Sequence, residues 1–119
     1  MSTFAVRVTL MHPEHREQTI EADLLVDTGS TYSLLPPDLV ERLRLPIFRQ
    51  TRAMLASGEH ATYRLGEVRM RIGDDERTTV FFAGAPSAKP LLGAVTLEEF
   101  GLGVDPSNQR LIEGPLPLA

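Results

Sequence analysis

The chain has 119 residues, 42% of them hydrophobic, with 12 Lys and Arg against 16 Asp and Glu for a net charge of −4. One domain of this size buries roughly two-thirds of its unfolded surface, so its core needs no metal or disulfide staple. There is no cysteine, which excludes disulfides, thiolate metal sites and a cysteine nucleophile, and the acidic balance argues against a nucleic-acid partner.

The start, Met1 to Arg7, lacks a basic region followed by a long apolar run, so no signal peptide is expected. No stretch approaches the roughly 20 apolar residues that cross a bilayer. The expectation is a cytoplasmic protein with no membrane partner.

Phe4, Val6, Val8 and Leu10 alternate with Ala5, Arg7 and Thr9, which predicts a half-buried strand. The polar run from His12 to Gln18 turns the chain, and Thr19 to Val26 returns as a second strand that delivers Asp27 to its end. His12, Glu14 and His15 are metal-ligand types, but no other ligand cluster joins them, and they read as a solvated hairpin tip. No metal and no cofactor are expected.

Leu24-Leu25-Val26-Asp27-Thr28-Gly29-Ser30 is the most informative stretch. Apolar residues on both parities suit a strand covered on both faces, and an unpaired interior charge at its end is costly. Gly29 leaves backbone amides uncovered, and the Thr28 and Ser30 hydroxyls are donors suited to a carboxylate. An ionised Asp27 is held this way with its outer oxygen open.

Thr31 to Leu35 is β-prone and closed by Pro36-Pro37. Asp38 to Leu43 predicts a short helix with Pro37 in its first turn and Leu39, Val40 and Leu43 on its apolar face. After Pro46, Ile47 to Leu55 forms a strand, and Ala56 to Ala61 has the composition of a loop tip. Val68, Met70 and Ile72 mark an amphipathic strand, turned at Gly73 to Glu76 and returned by Thr78 to Phe82. Asp74 and Asp75 are paired carboxylates, but in a polar turn they read as solvated. The small-residue connection from Ala83 to Pro90 contains no domain boundary. Leu91-Leu92-Gly93 re-enters the core, and a helix follows from Thr96, with Thr96 and Glu99 as a capping box and Gly101 as its stop. Gly103 to Asp105 and Arg110 to Ile112 flank Pro106 to Gln109 as a terminal hairpin, with Asp105 structural. A Pro-rich tail begins near residue 114. Together these predict a single all-β domain over residues 1–119, a small closed barrel with one or two short helices.

Asp27-Thr28-Gly29-Ser30 after Leu24-Leu25-Val26, with Leu91-Leu92-Gly93-Ala94 and the helix-like segment after it, resembles the retropepsin-like aspartic proteases, the single-lobe retroviral type. The resemblance covers roughly residues 4–112. It implies an aspartic endopeptidase in which Asp27 is the catalytic acid and base. The chemistry needs two carboxylates sharing a proton, and this chain has one Asp-Thr-Gly, so a homodimer supplies Asp27 twice. Gly29 then allows two turns to approach, and the Thr28 hydroxyl bonds across to the partner chain. Ser30 resembles the serine of the two-lobed pepsin-like enzymes and would stabilise the charged form of Asp27. The tip around Ser57, Gly58, Glu59 and His60, with Tyr63, corresponds to the flap that closes over a peptide substrate. Residues 1–8 or 103–114 would complete the dimer. The alternative is a catalytically inactive module of the same fold that binds a peptide or dimerises. Phosphoryl chemistry at Asp27 would call for long helices and a parallel nucleotide-binding sheet, for which the chain has no room.

Overall fold

A computed structural model of the chain describes residues 4–54 and 57–113. The elements run β1 (Ala5–Met11), β2 (Thr19–Val26), β3 (Ser33–Leu35), α1 (Pro37–Arg42), β4 (Ile47–Met54), β5 (His60–Ile72) and β6 (Asp75–Ala83). They continue with β7 (Leu91–Leu92), α2 (Ala94–Glu99), β8 (Leu102–Asp105) and β9 (Arg110–Glu113). The expected Pro-rich tail from 114 lies outside the described residues, as do residues 55 and 56 at the expected flap tip.

Seven strands form one sheet in the order β1-β2-β7-β3-β6-β5-β4, and β1 also pairs with β5. That extra pairing, Thr9 to Met11 against Arg71 to Arg69, closes the sheet into a ring. The 13-residue β5 makes the closure possible. Along one edge it pairs with β6 from Arg64 to Ile72. Its other edge is divided, with β4 on residues His60 to Gly66 and β1 on Arg69 to Arg71. The β4–β5 hairpin therefore projects from the ring.

The two-residue period of the strands sorts side chains to the two faces. In β1 it buries Val8 and Leu10, in β5 Val68 and Met70, and in β6 Thr79, Phe81 and Ala83. Leu10, Leu24, Leu35, Met70, Phe81 and Leu92 are all fully buried inside the ring, each contributing about 1.5–3 kcal/mol of transfer free energy. The α1 helix closes one side with Leu39 and Val40, and Pro37 occupies its first turn as expected. The terminal hairpin also forms as expected. Asp105 accepts hydrogen bonds from the Asn108 side chain and amide and from Arg110, and these hold its carboxyl below the usual range.

The second helix differs from its sequence signature. It begins at Ala94, two residues before Thr96, and neither Thr96 nor Glu99 caps it. The first amides of a helix lack partners inside it, and here they find backbone carbonyls instead: Ala94 N–H donates to Ser30 O at 2.8 Å and Val95 N–H to Thr31 O at 2.9 Å. With those amides satisfied, a side-chain cap has nothing to do, and Thr96 turns into the core. Gly101, at φ +66°, ends the segment as predicted.

Glu76 was not singled out by the sequence, yet it gathers Arg16 at 2.8 Å, Arg69 at 2.9 Å and Arg71 at 3.0 Å. This ties the β1–β2 turn to β5 and β6 near the ring closure. Hydrogen bonds from Arg69 first, then Arg71, hold the Glu76 carboxyl below its ordinary value of 4.5, against some loss of solvation. A carboxyl lowered on folding stabilises the fold fully above its unfolded value and loses that contribution as pH falls through the folded one. Glu76→Gln should therefore melt below wild type near neutral pH, and the gap should narrow as pH drops below 4.5. A melting-temperature difference independent of pH would refute the role assigned to this cluster.

Candidate active site

The Asp27 turn sits where β2 runs out beside β7. Leu25 and Val26 pair in parallel with Leu91 and Leu92, and Asp27 N–H donates to Leu92 O at 3.0 Å. The turn closes through Ser30 N–H to Asp27 O at 3.1 Å. With the bonds from Ala94 and Val95 to Ser30 and Thr31, segment 92–95 grips the turn at both ends through three backbone hydrogen bonds. These bonds join the Asp-Thr-Gly and Leu-Leu-Gly segments into one structural unit.

Asp27 Oδ1 accepts the Gly29 N–H at 3.0 Å. Among the described residues Oδ2 has no hydrogen-bond partner, so one oxygen is anchored and the other is open, as the sequence suggests. A Cβ on Gly29 would stand 3.2 Å from Oδ1 and crowd the anchored oxygen. The hydroxyls behave differently from the expectation. Ser30 Oγ donates to Tyr32 O at 2.7 Å, not to Asp27, because the turn directs it along the chain toward β3. Thr28 is exposed, and its hydroxyl has no partner among the described residues. The carboxylate is thus held by a backbone amide alone.

Gly93 cannot carry a side chain. A Cβ there would collide with the carbonyl group of Tyr32 and stand 2.8 Å from Ser33 N. The Gly93 amide donates to Ser33 Oγ at 3.0 Å, and Ser33 opens a line of buried hydroxyls. Ser33 Oγ lies 2.7 Å from Thr96 Oγ1, Thr96 Oγ1 lies 2.9 Å from Thr79 Oγ1, and Thr79 Oγ1 donates to Glu99 Oε1 at 2.6 Å. Ser33, Thr79 and Thr96 are the buried polar residues of the core. Losing one partner of such a set leaves another group unsatisfied, at a cost of about 1–3 kcal/mol. Sequence reasoning assigned Thr96 and Glu99 to a cap and gave Ser33 and Thr79 only strand positions.

The projecting hairpin carries Ser57, Gly58, Glu59 and His60 at or next to its tip, all exposed. Gly58 takes φ +88°, and Ser57 Oγ accepts the Glu59 N–H at 3.4 Å, so this is a tight polar turn. Met54, at the end of β4, is 69% exposed. Tyr63 lies at the root of the hairpin, with its ring 5.5 Å from Phe82, and Phe82 is 5.1 Å from Tyr32. These half-buried rings form a row from the root of the hairpin to the residue before β3. Phe82 faces away from the core that its neighbour Phe81 enters. Tyr32 and Phe82 were not singled out from the sequence, because the row exists only once β3 and β6 pair. An open groove of about 450 Å³ runs beside the turn, lined by Thr28, Ala94, Leu97, Glu98, Leu102 and Val104.

A ring-shaped β lobe with a half-buried strand-end aspartate and a projecting hairpin has the fold of the retroviral proteases. The EIAV protease, solved with the inhibitor HBY-793, aligns with a TM-score of 0.61 at 18% identity, covering 84% of this chain and 89% of that one. The simian foamy virus (mac) protease aligns at 0.60 and 10% identity, covering 82% and 94%. At such identities the likeness concerns the fold. No curated protein matches the sequence. Residues 14–105 match the family model described as aspartyl protease, and the chain belongs to that family.

Proposed function

We propose that the protein is an aspartic endopeptidase whose active site is a pair of Asp27 carboxylates, one from each chain of a homodimer. The observation that carries this reading is the Asp27 turn in a chain of the aspartyl protease family. One carboxylate oxygen is anchored by the Gly29 amide and the other is open. In the dimer the two carboxyls share one proton, since like charges this close do not both ionise cheaply. The ionised member takes a proton from water as the water oxygen attacks the scissile carbonyl carbon. The neutral member gives its proton to the carbonyl oxygen. Return of a proton to the amide nitrogen then lets the tetrahedral intermediate break at the C–N bond.

The other residues take supporting roles. Thr28, exposed and without a hydrogen-bond partner among the described residues, reaches across the two-fold axis, and Gly29 keeps the approach clear. The hairpin around Ser57 to His60 closes over the peptide, and the row Tyr32, Phe82 and Tyr63 offers apolar surface to its side chains. Residues 102–113 are the proposed dimer element. Strands β8 and β9 form a separate two-stranded sheet whose outer edges are unpaired among the described residues, and Ile112 is 40% exposed. A cytoplasmic location remains part of this proposal.

The test is digestion of a proteome-derived peptide library across pH. Cleavage should follow a bell-shaped profile that falls once both members of the pair ionise, and a general aspartic-protease inhibitor should block it at one molecule per dimer. A rate that rises steadily into alkaline pH would point to a different base. Inhibitor binding without cleavage would favour a peptide-binding module.

A further inference from the structure

We infer that Thr96 is a positioning residue for Asp27, acting through a one-way chain of hydroxyls that runs from the Gly93 amide to the Glu99 carboxylate. The proposal rests on the protease reading for its activity readout, and its structural readout stands without it.

The direction of the chain follows from proton counting. A carboxylate only accepts, so the single hydroxyl proton of Thr79 is committed to Glu99 Oε1, 2.6 Å away. The 2.9 Å contact between Thr79 and Thr96 then needs its proton from Thr96. With that proton used, the 2.7 Å contact between Thr96 and Ser33 needs its proton from Ser33. Ser33 Oγ in turn accepts the Gly93 N–H at 3.0 Å. Each hydroxyl donates once and accepts once along this line, and all three are at most 1% exposed. Chains of this kind polarise one another in a low-dielectric interior and leave the hydroxyls little rotational freedom.

The chain matters for the site because of where it begins. Gly93 is pressed against the Tyr32–Ser33 backbone, and its neighbours Leu92, Ala94 and Val95 make the three backbone bonds that grip the Asp27 turn. Thr96 lies one residue beyond that grip and joins it to β3 through Ser33 and to β6 through Thr79. A shift of Gly93 is passed to the turn by backbone bonds at both ends. Ordinary core packing would be served equally well by valine, which has the same shape as threonine and needs no such chain.

The experiment compares Thr96→Val and Thr96→Ser with wild type in the full chain. The readouts are the Gly93 and Gly29 amide resonances, followed across pH, together with kcat and KM on a cleaved peptide. The Gly29 amide bonds Asp27 Oδ1, so it senses that carboxylate directly. Thr96→Val should displace both amides, alter the pH profile and lower kcat by about tenfold or more, with KM within about twofold. Thr96→Ser should restore all of these. A folded Thr96→Val with both amides at their wild-type positions, or a loss that serine does not rescue, overturns the proposal. If Thr96→Val does not fold, Glu99→Ala removes the terminal acceptor from an exposed residue. Displacement of its Gly93 amide supports the chain, and a wild-type position overturns it. Wild-type protein that cleaves no peptide would refute the protease reading, while the amide comparison still decides the role of Thr96.

Discussion

Asp27→Asn is expected to abolish peptide cleavage while leaving the lobe folded. The substitution is close to isosteric, and the asparagine carbonyl oxygen can still accept the Gly29 N–H that anchors Oδ1. The backbone bonds that hold the turn, from Asp27 N–H to Leu92 O and from Ser30 N–H to Asp27 O, do not involve the side chain. No cation pairs with Asp27 among the described residues, so losing its charge leaves no partner stranded. What disappears is the capacity to take and return a proton. General acid–base catalysis by one positioned group supplies about 10²–10⁴-fold, and in a symmetric dimer both members are lost together. The measurement is cleavage of a library-derived peptide, with circular dichroism and a thermal melt showing the fold intact. A clean, folded variant that cleaves at the wild-type rate would remove Asp27 from the chemistry.

The parts of this protein legible in its sequence are those set by local pattern. Alternation in Phe4 to Leu10 and Val68 to Ile72 marks strands because the period of two is a property of the strand itself. Pro37 and Gly101 mark helix boundaries because their backbone restrictions act within a single turn. Asp27 is conspicuous because a carboxylate at the end of an apolar strand calls for a reason, and the Leu-Leu-Gly landmark strengthens that reason.

What was not legible depends on pairs distant in sequence. Ser33 and Thr96 are 63 residues apart, and Arg16 and Glu76 are 60 apart, so neither contact leaves a local signature. The start of α2 departs from its local signature for the same reason. Thr96 and Glu99 satisfy the capping pattern, but the amides they would serve are already bonded to Ser30 and Thr31. A long-range backbone bond overrode a valid local signal. Ser30 shows the converse, since the sequence places its hydroxyl beside a carboxylate, while the turn geometry gives it the Tyr32 carbonyl two residues on.

Catalytic activity is expected to exist only in the dimer, and it should be lost on dilution. In the proposed site each chain contributes one Asp27 and the mechanism uses two carboxylates, so association and site formation would be one equilibrium governed by mass action. Specific activity should stay constant above the dissociation constant and fall below it, in parallel with the dimer fraction measured by sedimentation. Thr28 offers a separate handle, being exposed and without a hydrogen-bond partner among the described residues. Thr28→Ala should cost about 0.5–1.5 kcal/mol per lost bond across the axis, seen as weaker association with each lobe's melting little changed, whereas Thr28→Ser should be mild. Mixing supplies the strongest effect. In about ninefold excess of Asp27→Ala chains with free exchange of partners, only roughly one wild-type chain in ten keeps a wild-type partner. Activity should drop to about that fraction, because each mixed dimer has a single carboxylate and cannot share a proton between two. If a preparation shown by sedimentation to be monomeric cleaves peptide at the undiluted specific rate, or if excess Asp27→Ala chains leave the rate unchanged after full exchange, the two-chain site is wrong.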